Sequence, residues 1–155
     1  MRIAGRRHDS SATLDVLRVY VHTVRMAGTS SPESGIGPVL IVEDDEDLAT
    51  SLKATIETLG YRAISASNGR EAFSRIEGVT PSLFLVDLFM PVMGGIAFLR
   101  ALKAEPKFKA IPKVIMTGAN DQMVGVKEDV GVLYKPLDFG ALTQILEQYC
   151  QKTAP

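Results

Sequence analysis

Short apolar runs alternate with stretches in which apolar residues recur every three or four positions, and the alternation holds from Val39 almost to the C-terminus. Runs near residues 39–43, 61–65, 83–87, 113–117 and 131–134 predict five strands, apolar enough to be covered on both faces. Between them, Leu48, Leu52, Ile56 and Leu59 mark a first helix closed by Gly60, which has no Cβ to oppose a left-handed stop. Residues 68–76 predict a second helix, Ile96, Phe98, Leu99 and Leu102 a third, and Leu142, Ile145, Leu146 and Tyr149 the last. Strands alternating with helices predict an α/β fold, a parallel sheet with helices on both faces. The polar stretch 121–129 has only Met123, Val124 and Val126 as apolar residues, so a fourth helix there is expected to be short, irregular or replaced by a loop.

The first 38 residues break the pattern. They mix Arg, Ser and Gly and end in a Ser-, Gly- and Pro-rich stretch, which predicts an extension and linker over 1–38 and a single domain over 39–151. Leu14, Leu17, Val21 and Val24 fall at helical spacing and offer a short amphipathic docking element or a marginal helix. A chain of 155 residues, 46% hydrophobic, fills one core and not two, so no output domain is expected after the last helix. A formal charge of -1 provides no basic field, and neither nucleic acid nor a membrane surface is expected as partner. The single Cys150 has no thiol to pair with, and the apolar positions after Arg7 are interrupted by Asp15, Arg18, His22 and Arg25. A cytoplasmic protein without a targeting or transmembrane segment is the expectation.

Chemistry is concentrated where the strands end. The first strand runs into Glu43, Asp44 and Asp45, the third stops at Asp87, the fourth at Thr117 and the fifth at Lys135. In an open parallel sheet these are the positions that face a ligand. Two carboxylates about 4 Å apart at an effective dielectric near 20 repel by roughly 4 kcal/mol, and a divalent cation removes that cost. Oxygen ligands without His or Cys select a hard ion, most simply Mg²⁺, held by Glu43, Asp44 and Asp87. Asp87, alone at the end of an apolar strand, can act as a nucleophile toward phosphorus and form an acyl phosphate. Lys135 and Thr117 supply the cation and the donor that the equatorial oxygens require, with Pro136 fixing the backbone after the lysine. Each residue alone also has a plainer reading, Glu43 to Asp47 as acidic residues that favour a helix N-terminus and Thr117 and Lys135 as ordinary surface.

The motifs Val42-Glu43-Asp44-Asp45, Leu85 to Gly95, Met116-Thr117-Gly118 and Lys135-Pro136 together resemble those of two-component response regulator receiver domains over residues 39–149. The resemblance implies a flavodoxin-like, doubly wound five-stranded sheet in the order 2-1-3-4-5. It implies a stand-alone phosphoacceptor switch of a two-component system or phosphorelay, phosphorylated on Asp87 by a sensor histidine kinase or a histidine phosphotransfer protein. Mg²⁺ would be held by Asp44, Asp87 and the backbone carbonyl of Phe89, with Glu43 acting through water. Thr117 would turn toward the phosphoryl group, Lys135 would contact it, and a downstream protein target would read the altered surface; no enzymatic turnover is implied.

Three departures from the family pattern change the expectation. Val132 stands where the family has an aromatic switch residue, and Tyr134, on the same strand face, is the expected substitute. The interval from Thr117 to Lys135 is short, in agreement with the weak helical pattern there, and Gly94-Gly95 replaces an acidic residue and Gly. Phe89 and Ala119, which by resemblance flank the attacking water, cannot orient it by hydrogen bonding, so a slowly hydrolysed phosphoryl group is expected. Two other readings compete. A phosphatase of the haloacid-dehalogenase kind uses a similar set, but Asp87-Leu88-Phe89 lacks its second Asp; an adaptor that never takes phosphate would not need the five polar residues intact.

Overall fold

The computed structural model describes residues 37–118 and 130–152; the amphipathic spacing of Leu14 to Val24, Ala119 and the stretch 121–129 lie outside them. The strands are β1 (Val39–Val42), β2 (Ala63–Ala66), β3 (Leu83–Asp87), β4 (Lys113–Gly118) and β5 (Val130–Lys135). They form one parallel sheet in the order β2-β1-β3-β4-β5. The helices among the described residues are α1 (Glu46–Thr58), α2 (Gly69–Arg75), α3 (Gly95–Ala104), a single turn α4 (Pro106–Lys109) and α5 (Phe139–Tyr149). None is long and apolar enough to cross a membrane.

Alternation along the central strands sorts side chains into two layers. Leu40, Phe84, Val86 and Ile115 face α2, α3 and α4, whose Ala72, Phe98, Leu102 and Phe108 are buried against them. Val39, Ile41, Leu85 and Met116 face α1 and α5 and pack on Leu52, Ile56, Leu142 and Leu146. Each fully buried Leu, Ile or Phe contributes roughly 2 kcal/mol, and the first layer adds edge-on stacking of Phe84 on Phe98 at 6.0 Å and of Phe73 on Phe98 at 5.0 Å.

The observed boundaries differ from the periodicity in two instructive places. The second strand starts at Ala63 and not at Tyr61, because Tyr61 still belongs to the end of α1. Gly60 sits at φ +89°, its N–H donates to the Glu57 carbonyl at 3.0 Å, and the Tyr61 N–H reaches back to the Ile56 carbonyl at 3.1 Å. These two hydrogen bonds satisfy two carbonyls at the helix end, so the strand waits two residues. The turn α4, too short to show a period, escaped the pattern. It is held from outside, since the ammonium of buried Lys113 donates to the carbonyls of Phe108 at 2.8 Å, Ile111 at 2.7 Å and Lys109 at 3.3 Å.

Candidate functional site

Three strand ends bring the polar residues together at the carboxyl edge of the sheet. Glu43 continues β1 by donating its N–H to the Ala66 carbonyl at 3.0 Å, so its side chain turns to the same face as Ile41. Asp87 ends β3 and Lys135 ends β5, both on that same alternation. Glu43 is 2% and Asp87 7% exposed, whereas Asp44 stands open to solvent, and one oxygen from each of the three lies within 4.8 Å of the others.

Lys135 closes the cluster. Its ammonium donates to Glu43 Oε2 at 2.9 Å and to Asp87 Oδ2 at 2.7 Å. The second oxygen of each acid is held by backbone: Glu43 Oε1 accepts from the Asp45 N–H at 3.3 Å and Asp87 Oδ1 from the Phe89 N–H at 3.2 Å. The acidic run therefore divides its labour. Glu43 and Asp44 go to the cluster, while Asp45 caps α1, accepting from the Leu48 N–H at 3.0 Å, and Glu46 and Asp47 occupy the first helical turn.

Electrostatics follow from that geometry. Burial pushes the Glu43 carboxyl up; the hydrogen bond from Lys135 opposes this, and the neighbouring charge of Asp87 adds to it. Burial alone would lower Lys135, but hydrogen bonds and charge from Asp87 and Glu43 outweigh it and hold the ammonium above its ordinary range. Three carboxylates against one ammonium leave an oxygen-only site with surplus negative charge, and that donor set fits a small hard dication.

The remaining expected residues frame the cluster. Thr117 is buried near the end of β4 and is the register partner of Tyr134 on β5. Tyr134 is half exposed, Val132 half buried, and Pro136, exposed, follows Lys135 through a cis peptide bond. Phe89 projects its ring into solvent beside Asp87. Gly95 starts α3 where any Cβ would collide with the Asp87 carbonyl oxygen, so glycine lets the helix begin directly against the strand end.

Two features of the site left no signal in the pattern. The Asp45 N–H that supports Glu43 is a backbone group, which composition cannot report. Val92, an exposed valine at φ +68°, lies between Pro91 and Met93, and the Met93 N–H closes on the Pro91 carbonyl at 2.8 Å in a tight three-residue turn.

Comparison with known proteins agrees with this architecture. The receiver-domain profile of response regulators matches residues 39–147. The transcriptional regulatory protein ZraR of Escherichia coli is 35% identical over 114 residues, which is 71% of this chain and 25% of ZraR, so this chain spans about a quarter of that relative. Among solved structures, the signal receiver domain of a signal transduction histidine kinase from Syntrophus aciditrophicus is 31% identical with a TM-score of 0.67, covering 73% of this chain and 89% of that one. The chemotaxis protein CheY4 of Vibrio cholerae is 26% identical with a TM-score of 0.65, over 74% of this chain and 98% of that one. With its order of strands, its acidic cluster and its profile match over most of the sequence, the chain belongs to the response regulator receiver domains, the signalling modules of two-component systems.

Proposed function

We propose that the protein is a phosphoacceptor switch, phosphorylated on Asp87 in a Mg²⁺-dependent reaction and acting through protein contacts. The observation that carries this reading is the pair of buried carboxylates, Glu43 and Asp87, bridged by Lys135 at 2.9 and 2.7 Å with Asp44 beside them. An Asp87 oxygen attacks phosphorus, the bond from phosphorus to the donor's nitrogen or oxygen breaks, and the donor leaves with its electron pair. A histidine donor takes up a proton as neutral imidazole; an acyl phosphate leaves as carboxylate.

Mg²⁺, when bound by Asp44, Asp87 and the Phe89 carbonyl, with Glu43 through water, supplies charge neutralisation for the incoming phosphoryl oxygens. Lys135 exchanges its contact with Asp87 Oδ2 for one with a phosphoryl oxygen, and its raised affinity for the proton keeps it cationic. Thr117 donates its hydroxyl to the phosphoryl group and Tyr134, its register neighbour, follows it as the readout in place of the aromatic that Val132 replaces. A sensor histidine kinase or phosphotransfer protein is the donor and a downstream protein the reader.

Intact mass after incubation with Mg²⁺ and acetyl phosphate tests the core of this. One phosphate adduct is expected in the parent and none in Asp87→Ala; an adduct that survives in Asp87→Ala sinks the assignment. Failure of the parent with acetyl phosphate and with phosphorylated kinases alike moves weight to an adaptor that never takes phosphate.

A further inference from the structure

The face built by α2, α3 and α4 carries a charge pattern that the phosphoacceptor chemistry leaves unused. Within residues 100–109 stand Arg100, Lys103, Lys107 and Lys109 against a single Glu105, all exposed. None of these cations joins a salt bridge among the described residues. Cations near helix C-termini are ordinarily explained by the last carbonyls. Here that explanation is weakened, because the Phe108 and Lys109 carbonyls of α4 already receive the ammonium of Lys113. Lys107 and Lys109 therefore present charge outward, and Lys107 lies over the Phe108 ring at 4.6 Å, at the rim of a shallow groove it shares with Phe73, Ser74, Ile76, Glu77 and Phe108.

We propose that this corner is a docking surface for an acidic protein segment carrying one apolar anchor residue, the carboxylates meeting Arg100, Lys103, Lys107 and Lys109 and the anchor entering the groove beside Phe73 and Phe108. Charge selects this occupant over the others. The chain's own first 36 residues hold Arg2, Arg6, Arg7, Arg18 and Arg25 against Asp9, Asp15 and Glu33, and like charge turns them away. Nucleic acid binders draw on roughly six to ten phosphate contacts, more than four cations on a chain of net charge -1 provide. A second copy has only Glu46 and Asp47 at the acidic start of α1 to offer, two carboxylates with no apolar anchor between them for the groove.

The test uses the full chain, ¹⁵N-labelled, titrated at about 0.15 M salt with a short Glu- and Asp-rich peptide bearing one central Phe. Saturable shifts confined to residues 73–77 and 100–109 are expected, weakened at least about tenfold in Lys103→Glu/Lys107→Glu and again in Arg100→Glu/Lys109→Glu. Asp87→Ala should bind like the parent, so that the docking surface and the phosphoacceptor assignment fail or stand separately. The proposal is overturned by absent or dispersed shifts, or by equal affinity for the peptide with Ser in place of Phe or for an oligonucleotide of matched charge. Self-association without peptide that disappears in the Lys→Glu variant overturns it too, by making a second copy the occupant.

Discussion

Val92 is the one non-glycine residue with positive φ among the described residues, and it is β-branched and 75% exposed. A side chain branched at Cβ in that region strains the backbone by about 1–3 kcal/mol, and Val92 recovers little of it by burial. Val92→Gly releases the strain while giving back roughly 0.5–1 kcal/mol as unfolded-chain entropy, so a net gain of about 1 kcal/mol in urea unfolding is expected. A loss of stability would show that the valine side chain holds the loop in a way its exposure hides. Glu43 makes the second prediction. Its folded pKa is raised above the unfolded value, so it favours folding below the ordinary carboxylate range and loses that contribution as pH rises through the raised value. Lys135, also raised, stays charged throughout that window and adds no slope. In chelator, Glu43→Gln should therefore be more stable than the parent at neutral pH, with the difference closing toward about pH 4 and narrowing on addition of Mg²⁺. A parent more stable than the variant at neutral pH, with the gap opening as pH rises, would mean that the bond to Lys135 outweighs burial.

Among the elements, α2 depends most on a few side chains, because seven residues are too few for a helix to persist on propensity. Asn68 Oδ1 accepts from the N–H groups of Arg70 and Glu71 at 3.0 Å each, and Glu71 accepts from the Ser67 N–H at 2.9 Å, the Ser67 hydroxyl at 2.6 Å and Arg75 at 2.9 Å. The Ser67 bonds first, then Arg75, hold the Glu71 carboxyl down at about 2. Its contribution is therefore complete above the unfolded carboxylate range and lost as pH falls through about 2. With the side chain 34% exposed, solvent screening limits this to about 1 kcal/mol, the expected cost of Glu71→Gln at neutral pH, shrinking to nothing in acid; a cost that persists in acid would contradict it. The start of this helix near Asn68 was legible in the sequence, as Gly60 was as a stop. What the period of apolar positions could not convey was backbone bonding across elements. Tyr61 is apolar and buried like a strand residue, yet its N–H serves α1, and Lys113 looks like a surface charge until its three carbonyl partners are seen.

At the scale of the whole molecule, the parallel α/β fold and the convergence of Glu43, Asp44, Asp87 and Lys135 at strand ends were legible in apolar runs that end in polar residues, whereas the strand order was legible only through the resemblance to receiver domains. The sequence could not foretell that Lys135 spans both buried acids, because a contact between residues 92 apart in sequence depends on β5 lying where it does beyond β4. The same topology pairs Thr117 with Tyr134, which gives the substitute-aromatic reading a path. Tyr134→Ala should weaken binding of a reader protein by the phosphorylated form while leaving the phosphate adduct intact, and unchanged binding would dismiss it. In the proposed phosphoacceptor reading, the lifetime of the signal depends on what stands beside Asp87. Phe89, 60% exposed, stands two residues after Asp87 and can neither donate to nor accept from a water. The Phe89 N–H is directed at Asp87 Oδ1, so the backbone there is committed to the acid and not to an attacking water. Hydrolysis of the acyl phosphate then lacks an orienting group on this side, and the phosphoryl group should persist well beyond seconds in purified, kinase-free protein. Phe89→Asn restores a side chain that orients water and should shorten the lifetime about tenfold, roughly 1.4 kcal/mol off the barrier. Loss of the adduct within seconds in the parent, or no change in Phe89→Asn, would show that something other than this side chain controls access to phosphorus.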